Sequence, residues 1–105
     1  MSEHCVVLVT CPDRETGVKI AGRLVEERLA ACVNLLDSVT SIYRWKDAIQ
    51  QDAETLLIIK TRTACFEALA RRVTELHPYE VPEVIACDIT AGNAPYLKWI
   101  EETTG

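Results

Sequence analysis

The chain has 105 residues, room for one domain of ordinary size, and 49% of them are hydrophobic, which excludes a disordered tail. Aromatic residues make up only 6%, so aliphatic side chains must supply the core. Sixteen acidic against eleven basic side chains leave a net charge of −5 with no run of Lys or Arg, a balance that argues against a nucleic-acid partner.

Residues His4 to Thr10, mostly Cys, Val and Leu, predict a strand that Cys11-Pro12-Asp13 breaks. Asp13 suits a helix N-cap, and Glu15 suits the positive end of the helix dipole. Val18, Ala21, Leu24, Val25, Leu29 and Cys32 recur at three- and four-residue steps, which predicts an amphipathic helix from about Arg14 to Leu29. Ala31 to Trp45 then reads as a second strand, with a bulge or bend at Asp37-Ser38. Val39, Ser41, Tyr43 and Trp45 share one face of it, and Thr40, Ile42 and Arg44 the other. Lys46-Asp47-Ala48 reads as a hairpin turn, and the chain returns as a strand from about Ile49 to Thr61. Thr63 is the expected cap of a second helix whose stripe is Phe66, Leu69, Ala70, Val73 and Leu76; His77-Pro78 ends it. Tyr79 to Glu83 reads as an extended loop, Val84 to Thr90 as a fourth strand, and Ala94 to Thr103 as a last helix after Gly92-Asn93.

This succession of strand, helix, strand, strand, helix, strand and extra helix, in one domain over residues 1–105, is the order of an α+β ferredoxin-like βαββαβ sandwich. It predicts one antiparallel sheet with both main helices on one face. A sheet with a wet second face should alternate apolar and polar side chains, yet Val6-Val7-Leu8-Val9 and Leu56-Leu57-Ile58-Ile59 do not. If Leu56 and Ile58 meet the helices, Leu57 and Ile59 point away, each leaving roughly 1.5–3 kcal/mol of burial unclaimed. Self-association is the favoured answer; the alternative is a last helix that folds back over that face.

The five cysteines, Cys5, Cys11, Cys32, Cys65 and Cys87, form no Cys-x-x-Cys pair, which removes thioredoxin-type chemistry and zinc knuckles of that spacing. The start, Met1-Ser2-Glu3-His4, lacks the basic region of a secretory signal, and the apolar run that follows is too short to span a bilayer. A cytoplasmic protein with reduced thiols and no membrane contact is expected. Cys32, Cys65 and Cys87 sit in apolar stripes and read as core.

His77, at a helix end before proline, offers an imidazole to Cu(II) or another divalent cation, or else bonds the free carbonyls of the helix terminus. Cys11, between a strand and a helix start, is either a lowered-pKa thiol able to bind metal or a small half-buried residue. Glu54, Lys60, Tyr79 and Glu83, beside the amphipathic rings of Tyr43, Trp45, Tyr79 and Trp99, would suit a small anionic or zwitterionic ligand, or an interface. A Cys-His catalytic pair would need Cys11 beside His77 and a third group to orient the imidazole; with no phosphate loop or metalloprotease helix in the sequence, no enzyme is expected.

Thr10-Cys11-Pro12, Leu29-Ala30-Ala31-Cys32-Val33-Asn34, Ser41-Ile42-Tyr43-Arg44-Trp45, Lys60-Thr61, His77-Pro78-Tyr79-Glu80-Val81-Pro82-Glu83 and Tyr96-Leu97-Lys98-Trp99-Ile100 follow one another at compatible spacing. Together they resemble the CutA divalent-cation tolerance family, most specifically in the His-Pro-Tyr-Glu-x-Pro-Glu segment. The resemblance implies a compact homotrimer similar to PII signalling proteins, long hairpin strands reaching across subunits, and copper binding without an organic cofactor. It departs from the family pattern at Asp37-Ser38, where Pro-Gly is frequent, and near Asp47-Ala48, where Gly is. Val9 stands where a ligand Cys has been proposed and Leu76 where some members have a second His, which weakens transfer of a copper site. The expected function is divalent-cation binding, copper foremost, in metal tolerance or response, with His77, Cys11 and Glu83 as ligands. The alternatives are a small-molecule signalling module using subunit clefts, or a structural trimer; a further protein partner is left open.

Overall fold

The computed structural model describes residues 2–105. Strand β1 (His4–Cys11) runs through the middle of the sheet, followed by α1 (Arg14–Glu26), β2 (Cys32–Trp45), β3 (Ala48–Arg62), α2 (Phe66–Leu76), β4 (Val84–Asp88) and α3 (Ala94–Thr103). The strand order is β2-β3-β1-β4, all neighbours antiparallel, which is the ferredoxin-like arrangement plus a C-terminal helix.

Helix α1 starts where expected, with the Asp13 carboxylate accepting the Thr16 N–H at 2.8 Å. It stops at Glu26, short of Leu29, because Arg28 turns left-handed (φ 62°) and closes a Schellman motif: the Leu29 N–H reaches the Leu24 carbonyl at 2.9 Å and the Arg28 N–H that of Val25 at 3.1 Å. Thr63 is not a helix cap. It opens a short 3₁₀ turn (Thr63–Cys65), and its hydroxyl donates to the Ser2 carbonyl instead. β4 ends at Asp88 rather than Thr90: β1 begins at His4, whose carbonyl takes the Ile89 N–H at 2.9 Å, and past His4 there is no β1 residue to pair with.

Leu57 and Ile59, with Val7 and Val9, face the helices and pack on Ile20, Leu24, Leu69 and Val73; all eight are fully buried. The pleat therefore turns Leu56 and Ile58, with Val6 and Leu8, to the second face, where they stay half-buried. Helix α3 folds back over one end of that second face. Ile100 is buried beneath it, Glu101 meets His4 at 3.0 Å, and Arg62 donates to the Thr104 hydroxyl at 2.9 Å. The rest stays open, with Leu36 and Ile85 about half exposed. Cys65 is core, but Cys87 is exposed and Cys32 partly so: β4 is an edge strand, and Cys87 lies opposite Val6, on the face away from α1 and α2.

β1 ends at Cys11 opposite Thr55, so from Glu54 onward β3 pairs only with β2. Val39–Trp45 and the facing residues 48–54 project as a two-stranded arm, part of a long dimension of 44 Å. Its turn is a two-residue one, Lys46 (φ 51°) and Asp47 (φ 63°), the type I′ geometry that matches strand twist. The bulge falls where expected, between the Leu36–Leu56 and Val39–Glu54 pairs, with Ser38 left-handed (φ 58°). The extra residue reconciles two demands. The hairpin turn sets Val39, Ser41, Tyr43 and Trp45 on the side of Glu54, while Val33 and Leu35 at the base still face the helices.

Candidate functional site

The loop after α2 packs beside the base of the arm, and His77 fixes it there. The imidazole is 7% exposed; its Nδ1 accepts the Tyr79 N–H at 3.1 Å, and its Nε2 lies 2.8 Å from the Thr10 carbonyl. A nitrogen that accepts an N–H carries no proton, so the proton sits on Nε2 and is donated to Thr10. Both ring nitrogens are thereby engaged, and neither lone pair is free for a cation. The ring also packs on Tyr79, with centroids 4.6 Å apart.

Held this way, the Tyr79 hydroxyl donates to the Glu54 carboxylate at 2.9 Å. Glu54 is only 9% exposed. Burial, and the hydrogen bond to Glu54, push the Tyr79 phenol far above its usual range. Across the arm, the Tyr43 hydroxyl donates to Asp52, the residue two before Glu54 on the same face, and this bond raises the Tyr43 phenol. Arm and loop enclose a groove of about 620 Å³ lined by Tyr43, Trp45, Glu54, Tyr79, Glu80 and Glu83, with Thr10, Ser41, Ile42 and Val81 filling its walls. None of its lining residues is Lys, Arg or His.

The candidates named from sequence therefore divide. Tyr43, Trp45, Glu54, Tyr79 and Glu83 line one groove. Lys60 and Trp99 lie elsewhere. Lys60 donates to Asn34 and pairs with Val6, six residues and about 20 Å along β3 from Glu54, and Trp99 stacks on Tyr96 at 5.5 Å on α3. Lys60 therefore brings no ammonium group to this groove within one chain. Glu80 and Asp52 were not singled out. Asp52 was legible in principle, since strand alternation puts it on the face of Glu54; Glu80 lay within the recognised loop motif.

Cys11 does not join the groove as a reactive thiol. It is fully buried among the residues facing the helices. Burial first, then the negative charges of Glu54 and Asp13, push its thiol up to about 11, which sides with the small buried residue of the two readings and not with a lowered-pKa thiol. The folded state thus holds this proton to higher pH than the unfolded chain, which releases it near 9. The associated stability is complete below pH 9 and is lost as pH rises from there through 11. Urea unfolding of wild type and Cys11→Ala should diverge over that window, the wild type losing about 2–3 kcal/mol more. Parallel pH curves would contradict the shift. Among the described residues no three His, Cys, Asp or Glu side chains gather closely enough to hold a metal ion, so Cys11, His77 and Glu83 form no single-chain site.

A four-stranded antiparallel sheet, two helices on one face, a third across part of the other, and an arm whose base is locked to an acidic loop define an α+β ferredoxin-like protein with a projecting hairpin. Residues 5–103 match the family described as CutA1 divalent ion tolerance protein. The chain belongs to this family. It is 53% identical over 100 residues to the divalent-cation tolerance protein CutA of Thermus thermophilus, covering 95% of this chain and 97% of that one. It is 50% identical over 96 residues to protein CutA of Mus musculus, where it covers 91% of this chain but spans about half (54%) of that relative's length. Solved structures agree: the Thermus thermophilus protein superposes with a TM-score of 0.95 at 52% identity, covering 97% of this chain and 99% of that one. CutA1 from Oryza sativa does so with 0.96 at 46%, covering 99% and 95%. No helix among the described residues is long and apolar enough to cross a membrane.

Proposed function

We propose that the chain is a homotrimeric, PII-like protein of metal tolerance that binds divalent cations, copper foremost, at the groove between the arm and the His77–Glu83 loop. The observation that carries this reading is the charge of the groove: its ionisable acids are Glu54, Glu80 and Glu83, and no basic side chain neutralises them. Neighbouring carboxylates without cationic partners favour a bound cation, which relieves their mutual repulsion, and Glu54 is in addition withdrawn from water. Glu83 is the foremost ligand. Since one chain gathers no complete ligand set, a second copy supplies the remainder. Exposed Ile49 on the arm, and the open half of the second sheet face, support a trimer that buries them.

The role is binding rather than catalysis: the Cys11 thiol stays protonated near neutral pH, and the His77 Nε2 proton is committed to a backbone carbonyl. Five free cysteines fit a reducing, cytoplasmic compartment.

Sedimentation equilibrium at micromolar protein should give three times the chain mass; a stable single-chain species would overturn the trimer. Calorimetric titration with Cu(II) should show saturable binding that Glu83→Gln weakens by about tenfold, and unchanged affinity would remove the groove from the reading. His77→Ala in the same titration shows whether the imidazole exchanges its Thr10 bond for the metal.

A further inference from the structure

The groove is built for more than an inorganic ion. At about 620 Å³ it has the size of a small-molecule site, and most of that space would hold only water around a bare cation. Its floor is a buried carboxylate: Glu54 is 9% exposed, forms no ion pair among the described residues, and takes its side-chain hydrogen bond from the neutral Tyr79 hydroxyl. Buried carboxylates are ordinarily paired with a positive group. Around it stand the rings of Tyr43, Trp45 and Tyr79, each roughly two-fifths to three-fifths exposed, whose faces attract ammonium groups. Glu80 and Glu83, both exposed, supply a second anionic point at the loop side.

We propose that this groove binds a linear aliphatic diamine or polyamine, one ammonium group against Glu54, the methylene chain along Tyr43 and Trp45, and a second ammonium group at Glu80 and Glu83. A carboxylate floor with aromatic walls and no basic side chain recognises positive charge on an apolar body, a combination that neither a metal ion nor an anionic metabolite presents. The inference rests on the anionic groove of the proposed cation function but asks for a different ligand, so the two readings fail separately.

Spermidine and 1,4-diaminobutane are the probes, with the assembled protein in EDTA so that metal plays no part. In a Trp99→Phe background Trp45 is the sole indole, and its emission should change saturably with spermidine, more weakly with 1,4-diaminobutane, and not with NaCl at matched ionic strength. Calorimetry should show affinity falling about tenfold or more in Glu54→Gln. The exposed Glu83→Gln should lower spermidine affinity while leaving the unfolding midpoint unchanged, which keeps the test valid if Glu54→Gln is unstable. No saturable response, a response reproduced by NaCl, or equal affinity in wild type and both variants would overturn the proposal. A groove already filled by a basic side chain of another copy would give the first of these. Cu(II) binding without spermidine binding sinks this inference alone, and the reverse sinks the metal reading alone.

Discussion

Replacing His77 by alanine is expected to destabilise the chain by about 2–4 kcal/mol, because one buried side chain closes two part-buried hydrogen bonds and a ring contact. The Thr10 carbonyl loses its donor at 2.8 Å, and the Tyr79 N–H loses its acceptor at 3.1 Å. Urea unfolding should show a lower midpoint with an unchanged slope, since the surface exposed on unfolding is the same. Hydrogen exchange at the Tyr79 amide should quicken beyond what the global loss explains, because its acceptor is gone. A loss under about 0.5 kcal/mol would mean the imidazole does not hold the loop. The consequence for the site is direct. Tyr79 carries the hydroxyl that donates to Glu54, so loosening the loop removes the one donor that the buried carboxylate has from a side chain.

Ile100→Ala should cost a similar amount, about 2–4 kcal/mol, for a different reason. Ile100 is the fully buried residue by which α3 grips the second face of the sheet. Its removal leaves a cavity and weakens the helix that covers the His4–Arg62 end of that face. The polar ties of α3, His4–Glu101 and Arg62–Thr104, remain. They lie at one end, and the His4–Glu101 contact is exposed on its acidic side, so they cannot substitute for the lost packing. Urea unfolding should report the loss, and binding of a hydrophobic dye before the main transition should report exposure of the face. Wild-type stability in this variant would show that α3 is ornamental to that face and that association covers it instead.

These two residues also mark where sequence reasoning succeeded and where it ran out. That Ile100 lies in a short last helix follows from local spacing, and so do the bulge at Asp37-Ser38, the turn at Lys46-Asp47 and the start of α1 at Asp13. Caps and turns act over a few residues, so composition shows them. The end of α1 is not legible in the sequence because Arg28 is not a residue type that advertises a left-handed conformation; its side chain is held by the Glu102 and Gly105 carbonyls, more than seventy residues on.

The sequence by itself determined the α+β order of elements, the family, the doubly apolar sheet and the acidic loop motif, because periods of two and 3.6 residues and a contiguous motif are local properties. Only the tertiary structure decided that Leu57 and Ile59, not Leu56 and Ile58, meet the helices, since an unbroken apolar run fits either pleat. It also decided that Tyr79 meets Glu54 while Lys60 does not, and that His77 spends both nitrogens on backbone. Burial first, with the negative charges of Glu54 and Asp13, pushes the Cys11 thiol away from reactivity. The Tyr79–Glu54 and His77–Thr10 contacts join groups 25 and 67 positions apart, and desolvation depends on everything packed around a group, so neither is written in any short stretch of chain.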